Sequence, residues 1–290
     1  MTQELIEDAL GDPRNANYLA LASDLAYMNA DQGVAAFKEQ LGLEASLISV
    51  GNTQAWVGHN DDHIVVAFRG TEAPTSIEGM KDWLLNDAMN LLVLPEGRLG
   101  TDFAAAGVGA RFHLGFLNAL ADIWEPVFTA VEAEMKKKER PLWITGHSLG
   151  GAIAMLSAWL FKRKFVNVHQ VYTFGAPMIG NAAASEAFDK ALPDRVFRYV
   201  NATDPVPLLP TMSLIANDYG HCLKEIALGT ALEKADNAID MVKALAARAA
   251  DGLTNPTIIS EMWAGIQARV AAHGLDSYRK LIAEMFDKKA

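Results

Sequence analysis

The sequence predicts an α/β fold with a mostly parallel central sheet covered by helices. Apolar strands alternate with helices over residues 140 to 201, which is the pattern of parallel strands joined by helical crossovers. Two charge-free stretches, Pro141 to Phe161 and Phe165 to Ser185, are interrupted by glycines and a proline, so they indicate buried strand, turn and helix rather than membrane spans. With 290 residues the chain is long enough for one large core, and we predict a single domain over 1–290.

Each element follows from the local hydrophobic pattern. Strands are expected at Ser46 to Val50, Thr53 to Gly58, His63 to Phe68, Leu142 to Thr145, Val168 to Phe174 and Arg195 to Asn201. Helices are expected at Asn17 to Met28, Phe116 to Lys138, Leu149 to Lys164 and Asn181 to Ala191.

The region after His221 predicts a helical hairpin insertion over 223–271. Apolar residues recur there at alternating spacings of four and three, first from Leu228 to Ala246 and again from Ile259 to Val270. The hairpin is expected to pack on the main domain through narrow apolar stripes, while a dimer interface or a substrate cap is the alternative.

Charge and cysteine content exclude several classes of protein. There are 25 basic and 35 acidic side chains, so the chain has no excess of basic residues for a nucleic-acid surface. Cys222 is the only cysteine, which excludes an intramolecular disulfide.

Four acidic residues precede the first basic residue, Arg14, so we see no signal peptide and expect a cytoplasmic protein or one exported by a leaderless route.

The strongest chemical signal is a Gly-x-Ser-x-Gly motif between a predicted strand and a predicted helix. Gly146-His147-Ser148-Leu149-Gly150 follows the strand from Leu142 and precedes an apolar helix. Such a turn is so sharp that small residues must flank the serine, and it presents the hydroxyl at the carboxyl end of the sheet. Ser148 is therefore the candidate nucleophile.

A serine nucleophile needs a histidine base that is oriented by a carboxylate. Asp204 follows the last predicted strand, where Pro205 prevents the strand from continuing, and it is favoured over Asp194 and Asp218. His221 and His273 are the histidines after Asp204, and spacing alone does not separate them.

Several segments together resemble the class 3 lipases of the fungal triacylglycerol lipase type. The likeness extends from about residue 15 to 285. The segments are Val65 to Thr71, His113 to Phe116, Gly146 to Gly151, Tyr172 to Pro177 with Gly180-Asn181, and Asn201 to Pro207.

The resemblance implies an α/β-hydrolase fold with a triad of Ser148, Asp204 and a histidine. It also implies an oxyanion hole formed by the amides of Thr71 and Leu149. His273, with Tyr278 five residues later, resembles the catalytic segment of bacterial members, whereas Tyr219-Gly220-His221 resembles a structural segment. His113 is expected to be structural, and His147 to pack beside the serine.

The expected activity is hydrolysis of lipid carboxylic esters through an acyl-enzyme, most simply as a triacylglycerol lipase. A phospholipase A, a short-chain or aromatic carboxylesterase, and a non-catalytic binding module are the alternatives. No metal or organic cofactor is implied. The expected partner is a lipid or ester substrate at a lipid–water interface, without nucleic acid or a transmembrane segment.

Two segments depart from the family pattern and are candidate lid elements. One is Glu72 to Asp82, and the other is the Gly- and Ala-rich segment between Leu92 and His113. The apolar residues of such a lid are expected to be Ile77, Met80, Trp83, Leu84 and Leu85. A mobile apolar lid would expose hydrophobic surface at a lipid interface, while the alternative is that Trp83 to Leu92 packs as a helix on the sheet.

Overall fold

A seven-stranded sheet forms the centre of the molecule in the computed structural model, which describes residues 4–71, 92–208, 219–229 and 270–287. Its strands are β1 (Glu44–Val50), β2 (Thr53–His59), β3 (Ile64–Phe68), β6 (Leu142–His147), β7 (Val168–Phe174), β9 (Val196–Asn201) and β11 (Lys224–Leu228). Four two-residue strands form a smaller sheet: β4 (Leu92–Val93), β5 (Phe112–His113), β8 (Gly180–Asn181) and β10 (Tyr219–Gly220).

The sheet is mixed, with a parallel centre. The strand order is β1-β2-β3-β6-β7-β9-β11, and all pairs from β3 onward are parallel. β1, β2 and β3 pair antiparallel because short turns connect them, whereas parallel neighbours require a crossover. The parallel arrangement predicted for residues 140 to 201 is confirmed.

Eight helices are described, and most lie on the two faces of the sheet. They are α1 (Pro13–Leu25), α2 (Ala30–Leu41), α3 (Gly100–Ala104), α4 (Leu114–Lys137), α5 (Leu149–Arg163), α6 (Ala182–Ala191), α7 (Val270–His273) and α8 (Leu275–Asp287). A 3₁₀ turn precedes α3 at Gly97–Leu99, and another lies at Val206–Leu208.

Side chains that alternate along the strands divide the core into two layers. In β3, Val66 and Phe68 face the layer that contains α4 and α5. Val65 and Ala67 face the opposite layer, which contains α1, α2 and α8. Both faces of β3 are therefore covered, which explains why the strand is an uninterrupted apolar run.

The helix α2 was absent from the prediction although its ends carry clear signals. The Asn29 side chain accepts the amide of Gln32 at the N-terminus, and Gly42 ends the helix with a φ of 67°. Its apolar residues are too sparse for a strong periodic pattern, so capping was the informative feature.

The prediction was also wrong at the beginning of the hairpin. Leu228, assigned to a helical stripe, ends β11, which pairs in parallel with β9 at the edge of the sheet. Hydrogen bonding to β9 overrides the helical preference of the Lys-Glu and Ala-Leu residues in this strand. Residues 230–269 of the predicted hairpin lie outside the described residues. The single domain over 1–290 stays a prediction. Among the described helices, none is both long enough and apolar enough to cross a membrane.

Candidate active site

Four neighbouring parallel strands bring the candidate residues to one edge of the sheet. β3, β6, β7 and β9 are adjacent, and their carboxyl ends all lie at this edge. Thr71, Ser148, Gly175 and Asp204 come after the ends of these four strands in that order. Ligand sites of open parallel sheets form at this edge, which agrees with the predicted position of the serine and the acid.

Ser148 occupies a strained turn between β6 and α5. Its φ is 57° and its ψ is −130°, a combination that is unfavourable for a residue with a side chain. The amide of Ser148 donates to the carbonyl oxygen of Phe174 at 2.9 Å, which anchors the turn to β7. The serine is half-buried, whereas the strand before it is buried throughout.

The glycines of the motif are required by packing between backbone segments. A Cβ on Gly146 would overlap the carbonyl group of Gly150, and a Cβ on Gly150 would overlap the carbonyl oxygen of Phe68. On Gly151 a Cβ would lie 2.7 Å from the Cβ of Ala176. The motif therefore specifies close contact of α5 with the ends of β3 and β7.

The predicted oxyanion residues lie on segments that contact each other. Leu149 is the first residue of α5, and Thr71 comes three residues after β3. Since Gly150 packs against the backbone at the end of β3, the start of the helix lies next to the chain that leads to Thr71. Helix N-terminal amides stabilise negative charge, so this is the expected position for an oxyanion.

The candidate base and acid form a buried hydrogen-bonded pair. Nδ1 of His273 lies 2.8 Å from Oδ2 of Asp204, and each residue is only 2% exposed. A carboxylate only accepts hydrogen bonds, so Nδ1 carries the proton of the neutral imidazole and Nε2 is the basic nitrogen. Nε2 is buried and has no hydrogen-bond partner among the described residues.

The Asp204 carboxylate accepts two further hydrogen bonds. The Tyr278 hydroxyl donates to Oδ2 at 2.6 Å, and the Val206 amide donates to Oδ1 at 2.9 Å. Burial and the nearby carboxylate raise the pKa of Tyr278 well above its usual value, so the phenol stays protonated and donates. These bonds fix the carboxylate toward His273.

Two further residues support the position of His273. The Asn201 side chain donates to the carbonyl oxygen of Ala272 at 2.8 Å. Gly175 has a φ of 60°, and a Cβ there would lie 2.8 Å from Oδ2 of Asp204 and 3.0 Å from the His273 ring. The structure therefore needs glycine at the end of β7 to make room for the pair.

The competing acids and histidines lie elsewhere. Burial together with the Arg198 cation lowers the pKa of His221 to about 3. Asp194 lies in the turn before β9, away from the carboxyl ends of the strands. Asp218 is outside the described residues. Of the two histidines that spacing alone left open, His273 is the one that contacts Asp204.

The other two histidines near the motifs have structural contacts. His113 caps α4 by accepting the Phe116 amide at 3.3 Å, and burial lowers the pKa of His113 to about 3. His147 lies beside the serine as predicted, with Nε2 2.7 Å from the His273 carbonyl oxygen.

The two candidate lid segments differ in what is described. Glu72 to Asp82, together with Ile77, Met80, Trp83, Leu84 and Leu85, lies outside the described residues. The segment from Leu92 to His113 contains α3, whose Phe103 is buried against Phe112 and Trp159. This second segment is thus anchored in the main core at Phe103.

Sequence reasoning did not identify Tyr27 as part of the site. Its hydroxyl lies 2.9 Å from Nδ1 of His147, a contact between residues 120 positions apart. No local motif marks it. Asn201 was included in a matched segment, but its contact with Ala272 spans 71 positions and had no sequence signal.

Among the described residues no group of three or more histidine, cysteine or acidic side chains could hold a metal ion.

Comparison with known proteins identifies the family of this chain. The model of the class 3 lipase family matches residues 65–214, which is more than half of the chain. A secreted mono- and diacylglycerol lipase of Malassezia globosa is 35% identical over 149 residues, which is 51% of this chain and 46% of the relative. A chloroplastic phospholipase A(1) of Arabidopsis thaliana is 32% identical over 160 residues, which is 52% of this chain and 34% of the relative.

Solved structures give the same fold. The Lip2 lipase of Yarrowia lipolytica superposes with a TM-score of 0.58 at 19% identity, covering 76% of this chain and 82% of that one. The chain spans about half the length of the curated relatives it matches. These proteins are fungal and plant, so they lend no support to the likeness with bacterial members.

The expected location is contradicted by these relatives. Several fungal relatives are named secreted lipases. The expectation of a cytoplasmic protein or leaderless export was wrong, because it relied on the charge of the first residues alone.

The α/β-hydrolase fold, the strained serine turn and the buried Asp–His pair accompany a family match that covers residues 65–214. This protein therefore belongs to the class 3 lipase family.

Proposed function

We propose that the protein is a serine hydrolase that cleaves carboxylic ester bonds of lipids. Ser148 is the nucleophile, His273 the general base and Asp204 the residue that orients it. The observation that carries this proposal is the buried pair of Asp204 and His273 next to the strained serine turn, with the basic Nε2 of His273 unbonded to any of the described residues.

The reaction follows from the proton positions. Nε2 of His273 takes the proton of the Ser148 hydroxyl as Oγ attacks the ester carbonyl carbon, and the imidazolium then gives this proton to the leaving alcohol. The acyl group remains on Ser148. Water attacks the acyl-enzyme with His273 as base, which releases the fatty acid and restores the serine.

The amides of Thr71 and Leu149 are proposed to bind the oxyanion of both tetrahedral intermediates. The Thr71 hydroxyl is a further donor at the same place. Removing one such donor typically lowers kcat by about 100- to 1,000-fold. The contact between the start of α5 and the end of β3 supports this assignment.

For the substrate we propose the acyl esters of glycerolipids. Triacylglycerol is the substrate expected from the motif pattern. Relatives named mono- and diacylglycerol lipases favour neutral glycerides, and the relative named phospholipase A(1) makes phospholipid the second candidate.

The first test is covalent labelling combined with substrate profiling. The wild-type protein is expected to react with an organophosphonate at Ser148, detected by intact mass and peptide mapping. It is also expected to hydrolyse emulsified mono-, di- and triacylglycerol faster than phosphatidylcholine vesicles. Ser148→Ala is the control, and we expect a loss of at least about 10⁴-fold in kcat because the acyl-enzyme cannot form.

Each alternative has its own result. Equal rates for wild type and Ser148→Ala would overturn the mechanism. Faster hydrolysis of the phospholipid would make the protein a phospholipase A, and activity confined to short soluble esters would make it a carboxylesterase. Absence of both labelling and hydrolysis would leave a non-catalytic binding module.

Interfacial activation would depend on the apolar lid segment, and dimerisation on the hairpin. Residues 72–91 and 230–269, which contain the first lid segment and most of the hairpin, lie outside the described residues. Both properties can be tested by experiment. A rate increase when the substrate passes its solubility limit would support a lid, and sedimentation of the full chain as a dimer would support the hairpin interface.

A further inference from the structure

A line of hydrogen bonds connects the end of α1 with the backbone of His273. The Tyr27 hydroxyl lies 2.9 Å from Nδ1 of His147, and Nε2 of His147 lies 2.7 Å from the carbonyl oxygen of His273. The rings of His147 and His273 also face each other, with centroids 4.5 Å apart. His147 precedes the nucleophile, so this line passes directly beside the reacting serine.

The acceptors fix the direction of each hydrogen bond. The His273 carbonyl oxygen can only accept, so Nε2 of His147 must carry a proton. Burial and the neighbouring His273 lower the pKa of His147 well below its usual value, so the ring is neutral and Nδ1 is an acceptor. Tyr27 therefore donates to Nδ1, and His147 has one defined tautomer.

Tyr27 is itself held by the chain that leads to the predicted oxyanion residue. Gly70 packs so close to the phenol that an added Cβ would overlap the Tyr27 hydroxyl and lie 2.7 Å from the carbonyl oxygen of His147. The contacts therefore extend from one residue before Thr71, through Tyr27 and His147, to the backbone of His273.

We propose that Tyr27 and His147 are positioning residues that set the backbone of His273 relative to Ser148 and Thr71. This inference rests on the proposed ester hydrolase function. Asp204 fixes the imidazole through Nδ1, while His147 and Asn201 fix the main chain through the carbonyl groups of residues 273 and 272. His273 is then constrained at both its ring and its backbone.

The requirement for a neutral His147 follows from its position. During the reaction His273 becomes an imidazolium, and a second cation 4.5 Å away would oppose it in a buried site. A neutral imidazole that donates to the carbonyl oxygen provides the hydrogen bond without that repulsion. A displacement of about 1 Å in a catalytic group can cost about 100-fold in rate, so loss of this support is measurable.

Three variants and one control test the proposal. Tyr27→Phe removes the donor to Nδ1, and His147→Leu removes both bonds. His147→Gln supplies an amide that can donate to the His273 carbonyl oxygen and accept from Tyr27. Tyr18→Phe is the matched control, because Tyr18 is a buried tyrosine of α1 whose hydroxyl donates to the Leu41 carbonyl oxygen at 2.8 Å, away from the serine.

We expect kcat on a soluble ester to fall about tenfold in Tyr27→Phe and about 100-fold in His147→Leu, with KM changed less than about twofold. His147→Gln is expected to recover kcat to within about tenfold of wild type. Tyr18→Phe is expected to lower the melting temperature without changing kcat. Each assay is run well below the melting temperature of the variant, so that a loss of folded protein does not lower kcat.

Two results would overturn the proposal. One is a wild-type kcat in Tyr27→Phe, and the other is a His147→Gln variant no better than His147→Leu. Failure of the proposed function is distinguishable, because the wild-type protein would then hydrolyse no ester and would not react with the organophosphonate.

Discussion

At the scale of single residues, the hydrogen bonds to Asp204 decide how firmly the base is oriented. The carboxylate accepts from His273, Tyr278 and Val206 and is excluded from water. Hydrogen bonds to a charged group contribute about 1.5 to 3 kcal/mol each, so losing one leaves the buried carboxylate poorly compensated. The Tyr278 hydroxyl also accepts a hydrogen bond from the backbone amide of Asn201 at 3.1 Å, which connects α8 to the end of β9.

Tyr278→Phe is expected to lower kcat/KM about tenfold and to reduce the free energy of unfolding by about 1 to 3 kcal/mol. The physical reason is the loss of one donor to Asp204 and of the acceptor for the Asn201 amide. Tyr199→Phe is the control, because it removes a tyrosine hydroxyl that donates to the Gly11 carbonyl oxygen at 3.0 Å and not to Asp204. Steady-state kinetics and urea unfolding measure both effects. A Tyr278→Phe enzyme as active as Tyr199→Phe would contradict the role of this hydroxyl.

At the scale of elements, the contact between α5 and the ends of the strands places the nucleophile. The helix begins at Leu149 directly after the strained serine, and its second residue, Gly150, packs on the backbone at the end of β3. Backbone cannot rotate away as a flexible side chain can. The geometry of the turn therefore depends on the glycines that allow this contact.

Gly150→Ala is expected to abolish most of the activity and to destabilise the protein by about 1 to 3 kcal/mol. Its Cβ would overlap the Phe68 carbonyl oxygen and lie 2.8 Å from the Arg69 carbonyl carbon, so α5 must shift away from the segment leading to Thr71. Gly274→Ala is the matched control, since the nearest atom of the described residues to its Cβ would be the Ala271 carbonyl oxygen at 3.6 Å. Rates and melting temperatures of the two variants are compared. Full activity in Gly150→Ala would show that the contact does not set the oxyanion geometry.

At the scale of the whole molecule, several histidines are buried in their neutral form. Burial lowers the pKa of His113 to about 3 and that of His63 to about 4, although the nearby Asp62 raises the latter slightly. In the unfolded chain these side chains titrate near their ordinary value of about 6.5. Between these values the unfolded state binds more protons than the folded state, so stability falls as the pH is lowered below about 6.5.

We expect the free energy of unfolding to decrease as the pH is lowered from 7.5 to 5. Once the pH is below the pKa of the unfolded chain, each such histidine contributes a decrease of at most about 1.4 kcal/mol per pH unit. His113→Asn removes one titrating group and keeps a side chain that can cap α4. Urea unfolding at the two pH values is therefore expected to show a smaller loss for His113→Asn than for the wild type. Equal losses would mean that His113 does not contribute to the acid sensitivity.

The order of the main strands and helices, and the serine turn, could be predicted from the sequence. These features depend on local patterns, namely apolar runs, alternation of strand and helix, and glycines around Ser148. The sequence also indicated that Asp204 follows a strand whose carboxyl end lies at the same edge of the sheet as Ser148. Family resemblance, and not spacing, selected His273 over His221.

Contacts between residues that are distant in the sequence could not be predicted in this way, because they form only when the chain folds. His273 reaches Asp204 across 69 positions and Tyr27 reaches His147 across 120, and no local pattern encodes such contacts. The helix Ala30–Leu41 and the edge strand ending at Leu228 were missed for a related reason: their apolar patterns are weak, and the sheet and the core stabilise them. Local preference sets what a segment can form, while packing and long-range hydrogen bonds set what it does form and which side chains share the site.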